Sequence, residues 1–171
     1  APALMGNVSL WKPATTALLS NYYLMQVYKE AGMPDGVVNF IPGKGSVIGG
    51  TSLNSPNFGG LHFTGSKATF DYLWQSIGKN LSKYNTYPRV VGETGGKDFI
   101  MAHPSANPRE IATAMVRGAY EYQGQKCSAV SRAYIPKSLW DDTYKEMKSM
   151  IDEIGMGDVQ DFRNFMGALI D

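Results

Sequence analysis

Short apolar runs alternate along this chain with longer stretches in which apolar residues recur at helical spacing. Val8-Ser9-Leu10-Trp11, closed by Lys12-Pro13, predicts a buried strand that ends in a turn. Leu18, Tyr22 and Met25 predict a helix, with Thr15 or Thr16 available to cap it and Gly32 and Pro34 placed to stop it. The β-branched and aromatic run 37–41 predicts a second strand. It enters a flexible turn, Pro42-Gly43-Lys44-Gly45, followed by a short helix from Ser46. Leu61-His62-Phe63 predicts a third strand, delivering Thr64-Gly65-Ser66 to a helix that reaches about Leu81, with Ser66 as its cap. Arg89-Val90-Val91 predicts a fourth strand, ending in Gly92-Glu93-Thr94-Gly95-Gly96-Lys97, and Phe99-Ile100-Met101 a fifth. Pro108 opens a helix in which Ile111, Met115, Ala119 and Tyr122 share one face. That helix leads to Gly124-Gln125-Lys126-Cys127-Ser128-Ala129. A strand over 132–135 and a helix from Ser138, with Leu139, Tyr144 and Met147 among its apolar positions, complete the pattern.

Strands alternating with helices imply an α/β fold, with a parallel sheet covered on both faces. Ligands of such sheets bind at the carboxyl ends of the strands. Lys12, Gly43, Thr64, Gly65, Ser66 and Glu93 all follow predicted strands and can gather along one edge.

Composition narrows the partners. The 171 residues are 43% hydrophobic and 18% charged, with a net charge of +1 and no basic stripe, which argues against nucleic acid or an anionic membrane surface. No stretch approaches the apolar length of a membrane span. A single cysteine excludes an internal disulfide and fits a reducing compartment. Ala1-Pro2-Ala3-Leu4 resembles the middle of an apolar helix rather than a targeting peptide. Phe165-Met166-Gly167-Ala168-Leu169-Ile170-Asp171 breaks off after an apolar run. The expectation is an internal piece of a longer protein.

The candidate chemistry is sparse. Cys127 has small or polar neighbours and a cation, Lys126, beside it, and a positive field favours the thiolate. A buried structural thiol is the alternative, and on this residue alone the better one. Glu93 sits among glycines that let other groups come close, as a general base or as a solvated loop carboxylate. Thr64-Gly65-Ser66 at a helix start suits a phosphate, although an ordinary turn has the same pattern. Lys12 can hold a ribose or phosphate, or be a solvated cation. His62 alternates within a strand and reads as structural; His103, before Pro104, ranks low as a partner for the cysteine. No second histidine or cysteine stands at ligand spacing, so no metal site is expected.

Taken together these segments resemble the NAD(P)-dependent aldehyde dehydrogenase family. The resemblance rests on Lys12-Pro13 after a strand, Phe63-Thr64-Gly65-Ser66, Glu93-Thr94-Gly95-Gly96-Lys97 and Gly124-Gln125-Lys126-Cys127. Order and spacing agree, including the 34 positions from 93 to 127, and the four motifs cover nearly the whole chain. Glycine is usual in the family where this chain has Phe70. Gly65-Ser66-Lys67-Ala68-Thr69-Phe70, the approach 84–89 and Lys126-Cys127-Ser128-Ala129 resemble the branch that oxidises glutamate 5-semialdehyde, the open form of 1-pyrroline-5-carboxylate, to glutamate in proline breakdown.

The resemblance implies a parallel Rossmann-type cofactor sheet over 1–93 and the start of an α/β catalytic domain over 94–171. It implies NAD as cofactor, Cys127 as nucleophile and Glu93 as the base that activates water for thioester hydrolysis. Lys12 would hold the adenosine ribose, Gly65 and Ser66 would face the pyrophosphate, and Thr64, Lys67, Ala68 and Thr69 would line the cofactor cleft. Ser128 would meet the carboxylate end of the substrate. It further implies a small-molecule aldehyde as partner, a homo-oligomeric full-length protein, and a mitochondrial matrix location in a eukaryote or a cytoplasmic one in a bacterium. The family's oxyanion asparagine falls upstream of Ala1, and Asn7 does not take its place. This stretch alone is expected to be inactive. A dehydrogenase for another aldehyde and a non-catalytic nucleotide-binding relative are the rival readings.

Overall fold

Eleven strands and helices follow one another in a computed structural model that describes residues 1–170: β1 Ser9–Trp11, α1 Leu18–Glu30, β2 Val38–Phe40, α2 Gly45–Ser52, β3 Gly60–Gly65, α3 Lys67–Lys79, β4 Arg89–Thr94, β5 Asp98–Met101, α4 Pro108–Tyr120, β6 Val130–Tyr134 and α5 Lys137–Asp152. The α/β alternation expected from the apolar pattern is present. Among the described residues the strands pair as β1–β2, β3–β4 and β5–β6, with β1–β2 and β5–β6 parallel as expected. Periodicity identifies strands but carries no information on which strands bond to which. No helix among the described residues is long and apolar enough to cross a membrane.

Two compact units form. One comprises Ala1–Phe63 with Ala68–Gly92; the other comprises Thr64–Lys67 with the chain from Glu93 on.

In the first unit β1 and β2 run parallel, with Ser9, Leu10 and Trp11 opposite Val38, Asn39 and Phe40. The Trp11 ring meets Phe40 edge-on at 5.4 Å and lies 6.3 Å from Tyr28 of α1. Neither Thr15 nor Thr16 caps α1. Residues Thr15–Ala17 form a tight 3-10 turn instead, and the Ser20 hydroxyl and Asn21 amide donate to the Ala17 carbonyl at 3.0 and 2.8 Å. At the other end Gly32 takes a φ of 87°, its N–H donates to the Lys29 carbonyl and the Met33 N–H to that of Tyr28. This is the glycine-terminated helix end that the Gly32–Pro34 spacing predicts.

The core of this unit is Leu53, Leu73 and Ile77, packed by Phe58, Leu61, Phe63, Tyr84 and Val90. Leu61 and Phe63 point inward, so the intervening His62 is exposed and takes no part in the core that the alternation suggested for it. The Tyr84 hydroxyl and Asn80 amide both donate to the Leu53 carbonyl, at 2.8 and 3.1 Å. Phe70, stacked on Phe63 at 6.0 Å, lays its ring against the α-carbon of Gly92.

In the second unit β5 and β6 run parallel, Asp98 opposite Val130 and Phe99 opposite Arg132, an irregularity that leaves Ser131 without an opposite number. Helix α4 starts at Pro108, and the Asn107 side chain caps it by accepting from the Arg109 and Glu110 N–H groups at 2.9 and 3.4 Å. Its apolar face buries Ile111, Ala112 and Val116, and it packs on α5, whose Thr143 is fully buried. Gly118 sits close under Val130, where a β-carbon would come within 2.5 Å of the valine methyl. Tyr122 does not continue the face of α4, because the helix ends at Tyr120.

Candidate active site

Between α4 and β6 the backbone turns the wrong way for ordinary residues. Tyr122 and Gln123 have φ of 55° and 58°, and Gly124 follows at 69°. Left-handed backbone costs a residue with a β-carbon roughly 1–2 kcal/mol, so this run persists only because its surroundings hold it. The Gln125 N–H donates to the Tyr122 carbonyl at 3.1 Å, and the Gln125 side-chain amide donates to the same oxygen at 3.2 Å. A side chain on Gly124 would approach the Ala119 carbonyl to 2.8 Å.

Immediately beyond, the Ala129 N–H closes a turn on the Lys126 carbonyl at 3.1 Å, with Cys127 and Ser128 at its centre, both exposed. Cys127 is a free thiol at the surface of this unit, which removes the buried structural reading. The Lys126 ammonium lies 3.5 Å from the Glu121 carboxylate, which also takes Arg117 at 3.4 Å. Its charge is therefore directed to a carboxylate as well as lying beside Cys127 in sequence.

Glu93 lies within β4 itself. The strand, paired with β3, extends through Thr94, three residues past Val91; the Glu93 side chain is exposed. The same correction applies to Thr64 and Gly65, which finish β3 rather than follow it. Between β4 and β5 the chain passes Gly95 and Gly96, and the α-carbon of Gly96 lies against the Cys127 carbonyl oxygen. Two residues later Asp98 pairs with Val130. Segments 96–98 and 127–130 thus run side by side within one unit. Three residues of chain span at most about 11 Å, which limits how far the Glu93 backbone can lie from the contact at Gly96.

Thr64, Gly65, Ser66 and Lys67 belong to the same unit as Cys127 and Glu93. Ser66 precedes α3, and Lys67, Ala68 and Thr69 form its first turn, all exposed. In the other unit Lys12 follows β1 and its ammonium donates to the Pro13 carbonyl at 2.5 Å. A β-carbon added at Gly45, the start of α2, would lie 4.0 Å from the Lys12 δ-carbon. His103 is engaged locally, its Nδ1 2.9 Å from the Ser105 hydroxyl.

Two side chains help to build this region: Gln123, outside the motifs, and Gln125, inside one but given no role there. The Gln123 amide donates to the Ala168 carbonyl at 2.9 Å, and the Gln125 side-chain oxygen accepts from the Ile170 N–H at 2.9 Å. Only Gly124 hinted at a turn here, and nothing local to Tyr122 or Gln123 signals a positive φ.

The whole chain, residues 1–171, matches the model of the aldehyde dehydrogenase family. It is 50% identical over 173 residues to the mitochondrial delta-1-pyrroline-5-carboxylate dehydrogenase of Dictyostelium discoideum, covering 100% of this chain and 31% of that protein. It is 44% identical to the human mitochondrial protein of the same name, with the same coverage. A crystal structure of the Delta-pyrroline-5-carboxylate dehydrogenase of Mycobacterium tuberculosis bound with NAD superimposes with a TM-score of 0.92 at 51% identity, over 99% of this chain and 32% of that one. The chain therefore spans about a third of the length of these relatives. With a match that runs from the first residue to the last and a backbone that follows that of solved relatives, this chain belongs to the aldehyde dehydrogenase family.

Proposed function

We propose that this chain carries the nucleophile and the general base of an NAD-dependent 1-pyrroline-5-carboxylate dehydrogenase, which oxidises glutamate 5-semialdehyde to glutamate in proline breakdown. The observation that supports this most is identity of 50% and 51%, sustained over the whole chain, to two proteins of that name. The mitochondrial names of eukaryotic relatives support a matrix location if the source is a eukaryote, with a cytoplasmic one in a bacterium. A homo-oligomeric full-length protein belongs to the same proposal.

In this reading the Cys127 thiolate attacks the aldehyde carbon to give a tetrahedral thiohemiacetal, a step that cysteine suits because it is intrinsically nucleophilic. The turn that exposes its sulfur leaves room for the approach. NAD, when bound, supplies the hydride acceptor. Oxidation leaves a thioester on Cys127; Glu93 takes a proton from water, the resulting hydroxide adds to the thioester carbon, and the carboxylic acid departs as the thiolate is restored. Ser128, exposed beside the sulfur, hydrogen-bonds the far carboxylate of the substrate.

The residues available to hold the cofactor fit a dinucleotide chemically. Lys12 offers ammonium donors for a ribose where β1 ends. Gly65 and Ser66 stand at the opening of α3, whose first turn, with Lys67, Ala68 and Thr69, presents backbone N–H groups and the positive end of the helix dipole to a pyrophosphate. Thr64 lines the same approach.

The test uses the full-length polypeptide. NADH formation from glutamate 5-semialdehyde should exceed that from hexanal by about a hundredfold or more in kcat/KM, since a site built for a polar substrate end discriminates strongly. Equal rates on the two aldehydes would remove the substrate assignment. Cys127→Ala should abolish oxidation, and Glu93→Gln should give a burst of NADH followed by slow turnover.

A further inference from the structure

The left-handed run ahead of Cys127 is fastened to a strip of backbone far away in sequence. The Gln123 amide donates to the Ala168 carbonyl at 2.9 Å, and the Ile170 N–H donates to the Gln125 side-chain oxygen at 2.9 Å, each across 45 positions. Among the described residues the Gln125 carboxamide works at both ends: while its oxygen holds Ile170, its nitrogen donates to the carbonyl of Tyr122, the first residue of the left-handed run, at 3.2 Å. It is half-buried and lies two residues before the sulfur. A carboxamide can accept at one end and donate at the other; a carboxylate of the same length keeps the acceptor alone, and an aliphatic chain keeps neither.

We infer that Gln125 is a positioning residue for the attack of Cys127 on the aldehyde: its carboxamide locks the left-handed turn 122–124 to segment 168–170 and so sets where the thiol is presented. The inference rests on Cys127 being the nucleophile, as proposed above. Among the described residues the Gln125 side chain hydrogen-bonds Tyr122 and Ile170, neither of which is a proposed catalytic or cofactor residue. Its loss is therefore read in how fast the sulfur reacts, not in how tightly ligands bind.

The full-length enzyme with Gln125→Leu is compared with the parent by steady-state oxidation of glutamate 5-semialdehyde, by NAD binding, and by the rate at which iodoacetamide alkylates Cys127 between pH 6 and 9. Displacement of a reacting atom by an ångström costs on the order of a hundredfold. The expected result is a drop of about tenfold to a hundredfold in kcat and in alkylation rate, with KM for the aldehyde and Kd for NAD within about threefold of the parent. Gln125→Glu, which keeps an acceptor for the Ile170 N–H but loses the donor to the Tyr122 carbonyl, should give both rates between those of Gln125→Leu and the parent. Ile170→Pro removes that N–H without touching the cysteine turn. It should lower the same two rates, and it keeps the inference testable where Gln125→Leu does not fold. An unchanged alkylation rate in folded Gln125→Leu or Ile170→Pro overturns the inference. So does a uniform loss of kcat, alkylation, NAD binding and thermal stability in both the Leu and Glu variants. Cys127→Ala run alongside separates the two failures: oxidation that survives it sinks the assignment of the nucleophile, whereas a normal sulfur rate in Gln125→Leu sinks the positioning role alone.

Discussion

Gly96 faces the carbonyl oxygen of Cys127 so closely that a methyl group on its α-carbon would overlap that oxygen and come within 2.5 Å of the Asp98 carboxylate. Both obstacles are close to fixed, one being backbone and the other a short side chain. The adjacent Gly95 has nothing within 4 Å of the same position. Gly96→Ala should therefore displace the Cys127 turn and lower kcat/KM for aldehyde oxidation by about a hundredfold. Gly95→Ala should stay within about threefold of the parent. Equal effects of the two substitutions in steady-state assays would show that the close approach does not position the sulfur.

A second pair is complementary in shape. The Phe70 ring occupies the space where a β-carbon at Gly92 would sit, held there by Phe63 at 6.0 Å and by Trp74 at 5.4 Å. Gly92→Ala should destabilise the protein by about 1–3 kcal/mol through overpacking. The same substitution in a Phe70→Leu background should cost less by about 1 kcal/mol or more, because the flexible smaller side chain can move aside. Urea unfolding of the four proteins measures the coupling; additive effects would mean that the ring and the glycine do not constrain each other.

What the apolar pattern conveyed, and what it left out, follows from the physics of each segment. The alternation of runs near Trp11, Phe40, Phe63, Val91 and Ile100 with helical spacing located nearly every element, because burial of one face imposes its period on the residues. Strand ends were less legible. Pairing carries β3 to Gly65 and β4 to Thr94, past the last apolar residue, and a ladder bond leaves no mark on side-chain type. The glycines after Glu93 suggested close approach, but which one is needed depends on Cys127, more than thirty residues away. Tyr122 read as helical since its spacing from Ile111 and Met115 fits; the positive φ is imposed by Gln125 and by distant backbone that local pattern cannot reveal. The family was legible as four short motifs, each weak alone and specific only in their common order.

Two exposed ion pairs set opposite pH limits. Hydrogen bonding to Asp152, with its charge, raises the Lys148 ammonium above its usual 10.5, and Arg163 lowers the Asp161 carboxyl below its usual 3.8. The folded-state pKa of Lys148 is raised, so its contribution to stability is complete below pH 10.5 and is lost as pH rises through the raised value. That of Asp161 is lowered, so its contribution is complete above pH 3.8 and is lost as pH falls through the lowered value. Between these limits neither pair makes stability pH-dependent. Asp152→Asn should return Lys148 toward 10.5 in an NMR titration of its ammonium. Both effects should shrink in high salt because the groups face solvent. A Lys148 titration unchanged by Asp152→Asn would show that the pair does not form in solution.

Thr143 is the largest fully buried side chain among the described residues, and its hydroxyl has no hydrogen-bond partner among them. It lies on α5, which packs against α4 in the unit that carries Cys127. A buried hydroxyl left unpaired costs roughly 1–3 kcal/mol of desolvation, whereas an apolar group of the same shape does not incur that cost. Thr143→Val should consequently raise stability by about 1 kcal/mol, seen as a higher urea midpoint at unchanged slope. Thr143→Ser retains the unpaired hydroxyl and deletes a buried methyl, so it should lower stability by about 1 kcal/mol. Opposite signs for two substitutions at one position distinguish polarity from volume. If valine destabilises instead, the hydroxyl has a partner in the folded protein, and the tight contact between α4 and α5 owes part of its specificity to that bond.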